Sequence, residues 1–127
     1  MSKKLGLKPG FKIKLINAPD YYYTLLTDLP TDLKEIKSPK IKKDLIHYFA
    51  NDAAQLNKDI EQLKNEIEVN GMIWISWYKK SAKMKTDLDE NTIRDIALNK
   101  GLVDVKVCAV DEKWSALKLV IPLKDRK

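Results

Sequence analysis

A short aromatic and basic segment is the part of this sequence best suited to bind a ligand. It comprises Trp77, Tyr78, Lys79 and Lys80, at and just beyond the end of the apolar run 72–77. An aromatic ring can stack on a planar group and a lysine ammonium can hold a phosphate, so the segment predicts a site for an anionic small molecule such as a nucleotide. The alternative is that Trp77 covers the core, Tyr78 lies on the rim and the lysines solvate a loop.

An acidic and an aromatic residue flank a turn nearer the C-terminal end of the sequence. Asp111 begins the turn 111–113, and Trp114 follows it. Both side chains are candidates for ligand contact if the turn lies at the same edge as the aromatic and basic segment. Burial of the indole ring against a sheet is the competing explanation for a tryptophan at this position.

The loop Asn17-Ala18-Pro19-Asp20 follows the first apolar segment, where nucleotide-binding folds usually carry glycines. The four glycines of the sequence are at positions 6, 10, 71 and 101, so none lies in this loop. Pro19 removes an N–H donor, and Asp20 places a negative charge where a phosphate would bind. These residues disfavour a dinucleotide site. S-adenosylmethionine is less demanding than a pyrophosphate, so a divergent site with Asn17 and Asp20 nearest the cofactor stays open.

Few side chains in the sequence suit nucleophilic, acid–base or metal chemistry. His47 lies inside an apolar segment, which favours a buried, hydrogen-bonded histidine over a general acid or base. Ser76 is not part of a G-x-S-x-G motif, and Cys108 has no basic neighbour in sequence. One cysteine and one histidine cannot supply the ligands of a zinc site. We therefore assign no catalytic residue and expect no metal.

Apolar segments predict the strands that position these residues. Two near-continuous apolar runs, 45–50 and 72–77, are typical of strands covered on both faces. Alternating patterns and turn residues predict the other four. The predicted strands are 11–17, 33–37, 45–50, 72–77, 103–109 and 114–123.

Helical periodicity predicts three helices between these strands. The first covers 21–29 and the third about 90–100, with Asp89 as its N-cap and Gly101 as its stop. In the second, Leu56, Ile60, Leu63 and Ile67 form one apolar stripe, Asn51 or Asp52 caps the start, and Asn70-Gly71 ends the helix. The turn 111–113 is too short for a parallel crossover, so the last two strands form an antiparallel hairpin.

The element order predicts an α/β fold with a three-layer, mostly parallel, Rossmann-like open sheet. It resembles the second half of the S-adenosylmethionine-dependent methyltransferase fold, which implies the strand order 2-1-3-4-6-5 with the last strand antiparallel. The segments LGLKPGFKIKLINAP, GMIWISWYKK, TDL and GLVDVKVCAVDEKWSALKLV resemble a family of small bacterial proteins classified as a domain of unknown function. That resemblance spans nearly the whole chain and implies a fold but no activity.

Length and composition limit the functions to consider. The 127 residues are 44% hydrophobic, which suits one domain, 11–127, preceded by a basic arm, 1–10. The sequence predicts a cytoplasmic protein without a membrane partner, and its net charge of +6 favours anionic partners. Three hypotheses follow: a non-catalytic module that binds an anionic small molecule or a protein at the carboxyl edge of the sheet, a divergent S-adenosylmethionine-dependent methyltransferase, or a weak nucleic-acid binder.

Overall fold

The computed structural model describes residues 6–22, 32–79 and 87–125, which form one six-stranded sheet and two helices. The elements in chain order are β1 (Lys12–Ile16), β2 (Lys34–Glu35), β3 (Lys43–Phe49), α1 (Ala53–Asn65), β4 (Ile67–Tyr78), α2 (Glu90–Asn99), β5 (Val103–Ala109) and β6 (Trp114–Val120). A 3₁₀ turn, Leu123–Asp125, follows β6. The first predicted helix, 21–29, lies outside the described residues from position 23 onwards.

The sheet has the order β2-β1-β3-β4-β6-β5, which confirms the predicted topology. The pairs β1–β2, β1–β3 and β3–β4 are parallel, while β6 runs antiparallel to both β4 and β5. The apolar runs of β3 and β4 form the centre of the sheet, as their composition predicts. Residues 110–113 join β5 to β6, and because β6 also pairs with β4, it lies between β4 and β5.

The two helices begin at predicted capping residues. The Oδ1 atom of Asp52 accepts a hydrogen bond from the backbone N–H of Gln55 at 2.7 Å, and Asp89 Oδ1 accepts one from Thr92 at 2.8 Å. Each bond satisfies an N–H that the first turn of a helix cannot satisfy internally. Gly101 adopts a φ of +78° directly after α2, which confirms its predicted role as a stop.

The predicted end of the second helix is wrong. Helix α1 ends at Asn65 and β4 begins at Ile67, so Gly71 lies inside a strand. At this junction Glu66 is the C-cap of the helix and pairs with the buried ammonium of Lys43 at 2.5 Å, and the next residue, Ile67, is paired with Lys43 in the sheet. A Cβ at position 71 would lie 3.1 Å from the carbonyl oxygens of Lys43 and Asp44, so glycine permits close approach of β3 to β4.

Other strand boundaries also differ from the predicted ones, including both ends of β1, which covers 12–16 rather than 11–17. The edge strand β2 contains two residues, 34–35, rather than 33–37, and β3 begins two residues earlier than predicted. Strand β6 stops at Val120, before Pro122, which has no N–H to donate to a sheet. Composition identifies the existence of these strands better than their ends.

Two apolar clusters lie on opposite faces of the sheet. Both described helices pack on one face, where Leu56 and Ile60 of α1 and Ile93 of α2 contact residues such as Ile46 and Ile75. On the other face, no α-helix among the described residues contributes to the apolar cluster, which consists of side chains from strands, loops and turns. These include Leu7, Tyr22, Phe49, Trp74 and Trp114. Leu7 shows that the N-terminal arm contributes to the core.

Within residues 6–22, 32–79 and 87–125, no helix has the length and apolar character needed to cross a membrane.

Candidate ligand-binding edge of the sheet

The carboxyl ends of the parallel strands meet at one edge of the sheet, which we name the carboxyl edge. The chain leaves β1 towards β2 on one side and leaves β3 towards β4 on the other. The ends of β1 and β3 therefore form the point where chain direction diverges, and ligands of open α/β sheets bind in the crevice at such a point. The predicted residues Asn17 and Asp20 follow β1 at this crevice.

Asn17 makes the sharp turn that leads out of β1. Its φ is +57°, in the left-handed region that asparagine tolerates better than most non-glycine residues. Its side-chain Nδ2 donates to the carbonyl oxygen of Phe49 at 3.4 Å, which ties the end of β1 to the end of β3. Asparagine thus provides a backbone conformation that glycine usually supplies, although Ala18 and Pro19 still carry side chains next to it.

A buried relay of side chains anchors the same loop to the sheet. The Tyr22 hydroxyl lies 2.9 Å from His47 Nδ1, and His47 Nε2 lies 2.6 Å from Ser76 Oγ. The ring of His47 also stacks on Phe49 at a centroid distance of 4.3 Å. Tyr22, which enters the core after β1, is therefore held by His47 of β3, and His47 is held in turn by Ser76 of β4.

His47 has a structural rather than a catalytic environment. Its side chain is fully buried, and this burial lowers its pKa from 6.5 to about 3. The imidazole is neutral near pH 7, and both ring nitrogens have partners in the relay. The prediction of a buried, hydrogen-bonded histidine is confirmed. The sequence does not predict Ser76 as its partner, because the pairing depends on the register of β3 and β4.

Three aromatic residues and one carboxylate meet at the carboxyl edge, and we name them the aromatic rim: Tyr21, Tyr78, Asp111 and Trp114. Tyr78 stacks on Trp114 with ring centroids 4.0 Å apart. The indole Nε1–H of Trp114 donates to the Tyr21 hydroxyl at 3.2 Å. Asp111 Oδ1 accepts the backbone N–H groups of Lys113 and Trp114, each at 2.8 Å. The loop after β1 thereby reaches the β5–β6 turn.

The predicted aromatic and basic segment is divided between the two faces of the sheet. Trp77 is 7% exposed and packs in the cluster that contains α1 and α2, so its ring faces are covered by the core. This burial does not suit the stacking role predicted for Trp77. Tyr78 faces the opposite side, and Lys79 follows it with a half-buried side chain. Lys80 lies outside the described residues. Ligand contact at Tyr78, Lys79, Asp111 and Trp114 stays a prediction.

Tyr21 is the rim residue that sequence reasoning missed. The prediction placed it in a helix because leucines follow it at helical spacing. The signal that could have identified it is the run of three tyrosines, 21–23, directly after the loop at the end of β1. Its side chain is 38% exposed, so the ring is partly accessible to a ligand.

A second polar cluster lies away from the carboxyl edge. Glu66 Oε1 accepts bonds from Lys43 at 2.5 Å and Lys14 at 2.9 Å, and Gln62 donates to Oε2. Burial alone would raise the pKa of Glu66, but these three hydrogen bonds lower it to about 2. A groove of about 300 Å³ opens beside it, lined by Lys14, Ile16, Asp59, Gln62, Leu63 and Glu66. All its buried charges are paired, which suits a structural role.

Among the described residues, no three His, Cys, Asp or Glu side chains are grouped closely enough to hold a metal ion.

The sequence matches no protein-family model and no curated protein. Solved structures are similar in fold. A protein assigned as a type 11 methyltransferase from Sulfolobus solfataricus matches 98% of this chain and 91% of its own, with a TM-score of 0.68 and 12% identity. A SAM-dependent methyltransferase from Aquifex aeolicus matches 94% of this chain and 87% of its own, at 0.64 and 15%.

The chain has a methyltransferase-like fold. A third similar structure, the ribosomal protein L11 methylase of Lactobacillus delbrueckii subsp. bulgaricus, matches 94% of this chain and 73% of its own, with a TM-score of 0.60 and 12% identity. At such identities, the likeness establishes the arrangement of strands and helices rather than an activity. The methyltransferase-like fold nevertheless locates the crevice between β1 and β3 as the place to look for a ligand.

Proposed function

We propose that this chain binds S-adenosylmethionine in the crevice between β1 and β3 and transfers its methyl group to an acceptor. The observation that carries the proposal is the left-handed turn at Asn17 in a methyltransferase-like sheet. Asn17 follows β1, at the point where the chain continues from β1 towards β2 and from the neighbouring β3 towards β4. This turn is held by a hydrogen bond to β3 and by the buried relay through Tyr22. A loop fixed in this way is ready to receive a ligand without reordering.

The carboxylates at the carboxyl edge fit a cationic cofactor better than a phosphate. Asp20 is exposed in the loop after β1, and Asp111 belongs to the aromatic rim. Asp52 and Asp87 accept backbone N–H groups at the start of α1. S-adenosylmethionine carries a positive sulfonium and ribose hydroxyl groups, and carboxylates stabilise both by charge and by hydrogen bonding. A pyrophosphate would be repelled by the same carboxylates.

The residues of the crevice act by binding and orienting the reactants. When bound, S-adenosylmethionine supplies an electrophilic methyl group. Asp20 would hold the cationic cofactor by its charge, and the left-handed conformation of Asn17 turns the chain out of β1 at the crevice. Methyl transfer needs an aligned acceptor more than it needs a protein nucleophile, so positioning by a rigid loop is a sufficient contribution from the chain.

Isothermal titration calorimetry with S-adenosylmethionine and S-adenosylhomocysteine tests the proposal. We expect both to bind the full chain. The Asp20→Asn variant should weaken the binding of S-adenosylmethionine by about threefold, since a partly exposed ion pair contributes at most about 1 kcal/mol. The uncharged S-adenosylhomocysteine should be less affected. Asp95→Asn, which removes an exposed carboxylate from α2, is the matched control. Absence of binding by both ligands would contradict the proposal.

A non-catalytic module is the second candidate, and the loop composition favours it. Ala18 and Pro19 restrict the approach of a ligand to the backbone of the loop after β1. A module that binds a small molecule elsewhere on the carboxyl edge does not need that approach. This candidate predicts binding of an anionic nucleotide near Tyr78 and Lys79. A thermal-shift screen with nucleotides, repeated on Lys79→Ala, tests it. Stabilisation by a nucleotide that is lost in the variant, without any response to S-adenosyl compounds, would favour the module.

A further inference from the structure

We propose that the aromatic rim binds an organic cation, and that the methyl acceptor is an amine whose nitrogen rests against Tyr21 and Asp111. The assignment of this cation as the acceptor rests on the proposed methyl transfer. Binding of a cation at the rim is independent of methyl transfer, because it depends only on the aromatic side chains and the carboxylate.

Trp114 is held on several sides and gives the rim a rigid base. Phe49 meets it edge-on with a centroid distance of 4.9 Å and an interplanar angle of 90°, and Tyr78 stacks on it at 25°. The indole N–H is satisfied by the Tyr21 hydroxyl. Trp114 itself is 5% exposed, whereas Tyr21 is 38% exposed. The surface offered to a ligand is therefore the outer part of the rim, chiefly Tyr21.

The rim also carries a fixed negative charge. Two backbone N–H bonds hold the Asp111 carboxylate in the turn before β6. Burial and the nearby Asp111 carboxylate raise the pKa of Tyr21 above its ordinary value, so the phenol keeps its proton. An electron-rich ring beside a carboxylate is the combination that attracts organic ammonium groups. The lysines Lys79 and Lys113 lie at the same turn, so an anionic probe is a necessary comparison.

The position of the rim suits an acceptor. Tyr21 directly follows Asp20, so the rim and the crevice between β1 and β3 share the loop after β1. In the transfer, the bound ammonium first releases a proton to water, and the lone pair of the resulting neutral amine forms a bond to the methyl carbon while the carbon–sulfur bond breaks. The bonding pair goes to sulfur, which becomes a neutral thioether. The new ammonium retains the positive charge or releases a proton to water.

Indole resonances of the ¹⁵N-labelled full chain test the binding site directly. The sequence has three tryptophans, so Trp74 and Trp77, both in the core, are internal controls for Trp114. Three probes of similar size carry different charges: choline, its neutral isostere 3,3-dimethylbutan-1-ol, and 3,3-dimethylbutanoate, in which a carboxylate replaces the hydroxymethyl group. We expect choline to shift the Trp114 indole resonance at lower concentration than the neutral alcohol and the carboxylate do. Equal responses, a stronger response to the carboxylate, or no response to choline would overturn the proposal.

Two variants locate the cation on the rim. Tyr21→Leu removes the aromatic ring, and Asp111→Asn removes the charge but keeps the oxygen that accepts the backbone N–H groups. Each should weaken choline binding by about threefold or more. Unchanged resonances of Trp74 and Trp77 would show that both variants fold. Unchanged choline affinity in both folded variants would overturn the assignment of this site.

Calorimetry with S-adenosylhomocysteine on the same samples separates the two proposals. Choline binding without S-adenosylhomocysteine binding would support the cation site and contradict the proposed methyl transfer. Binding of S-adenosylhomocysteine without choline binding would contradict the cation site alone. Binding of both, with choline affinity reduced in the two rim variants and S-adenosylhomocysteine affinity retained in Tyr21→Leu, would support the full proposal.

Discussion

At the residue scale, the sequence identified His47 as a buried polar group but not its partners. Tyr22 and Ser76 lie 25 and 29 residues away in sequence, and only the register of the central strands brings them to the imidazole. Asn17 was predicted as a site residue because it follows β1, while its left-handed φ depends on the loop that the folded chain imposes. Sequence patterns thus indicate burial and position, whereas hydrogen-bond partners come from the assembled sheet.

Acid should destabilise the fold through His47. Its pKa is about 3 in the folded chain and 6.5 in the unfolded chain. As the pH falls below 6.5, the unfolded state binds a proton that the folded state excludes until about pH 3. The free energy of unfolding should therefore decrease by up to about 1.4 kcal/mol for each pH unit in this window. Urea unfolding at several values from pH 7 to pH 5 measures the slope.

The His47→Gln variant is the control for this slope, since glutamine does not titrate. It should be less stable than the parent at pH 7, because the fit of the relay to Tyr22 and Ser76 is altered. Its free energy of unfolding should change little between pH 7 and pH 5. An equal slope in parent and variant would assign the pH dependence to other groups.

At the element scale, periodicity predicted the helices and strands but misplaced the junction between α1 and β4. Ile67 continues the apolar stripe of the helix, so the sequence pattern favours extending the helix through it. In the structure α1 ends at Asn65, Glu66 makes ion pairs with Lys14 and Lys43 of two other strands, and Ile67 already pairs with β3. Long-range contacts at this junction therefore accompany a departure from the local preference for helix.

Removing the charge of Glu66 should destabilise this junction strongly. In Glu66→Gln, the fully buried ammonium of Lys43 would lose its only described carboxylate partner. Loss of one partner of a buried pair costs about 3–5 kcal/mol, because the remaining charge is left uncompensated. Urea unfolding of the variant at pH 7 measures the loss.

The double variant Lys43→Met/Glu66→Gln is the informative comparison. It removes the buried charge as well as its partner, so it should recover part of the stability lost in Glu66→Gln. A double variant less stable than Glu66→Gln would show that the Lys43 side chain contributes by its packing or by its bond to the Ser38 carbonyl rather than by charge pairing.

At the scale of the whole molecule, the strand order could be predicted because two apolar runs identify the central strands and a three-residue turn requires a final hairpin. The resemblance to methyltransferases supplied the full order. The aromatic rim could not be predicted, because Tyr21, Tyr78 and Trp114 come from three separate segments. Trp77 is buried, as expected if it covers the core rather than stacks on a ligand.

The net charge of +6 gives a separate prediction about nucleic acid. A diffuse positive charge should produce only weak binding, which falls steeply with salt and shows no preference for sequence. Fluorescence anisotropy with a labelled single strand and a labelled duplex, at low and physiological salt, measures this. Tight binding that persists at physiological salt would contradict weak, nonspecific binding and would support nucleic acid as a specific partner.

The interior position of β6 has a consequence for how this sheet forms during synthesis. Residues 114–120 are the last of the described strands in chain order, yet they lie between β4 and β5. Until they leave the ribosome, β5 has no neighbour to join, and the exposed side of β4 stays available to other chains. Chaperone binding to stalled nascent chains should therefore persist until this segment emerges. Premature stop codons just before it should yield an aggregation-prone product rather than a slightly shorter domain.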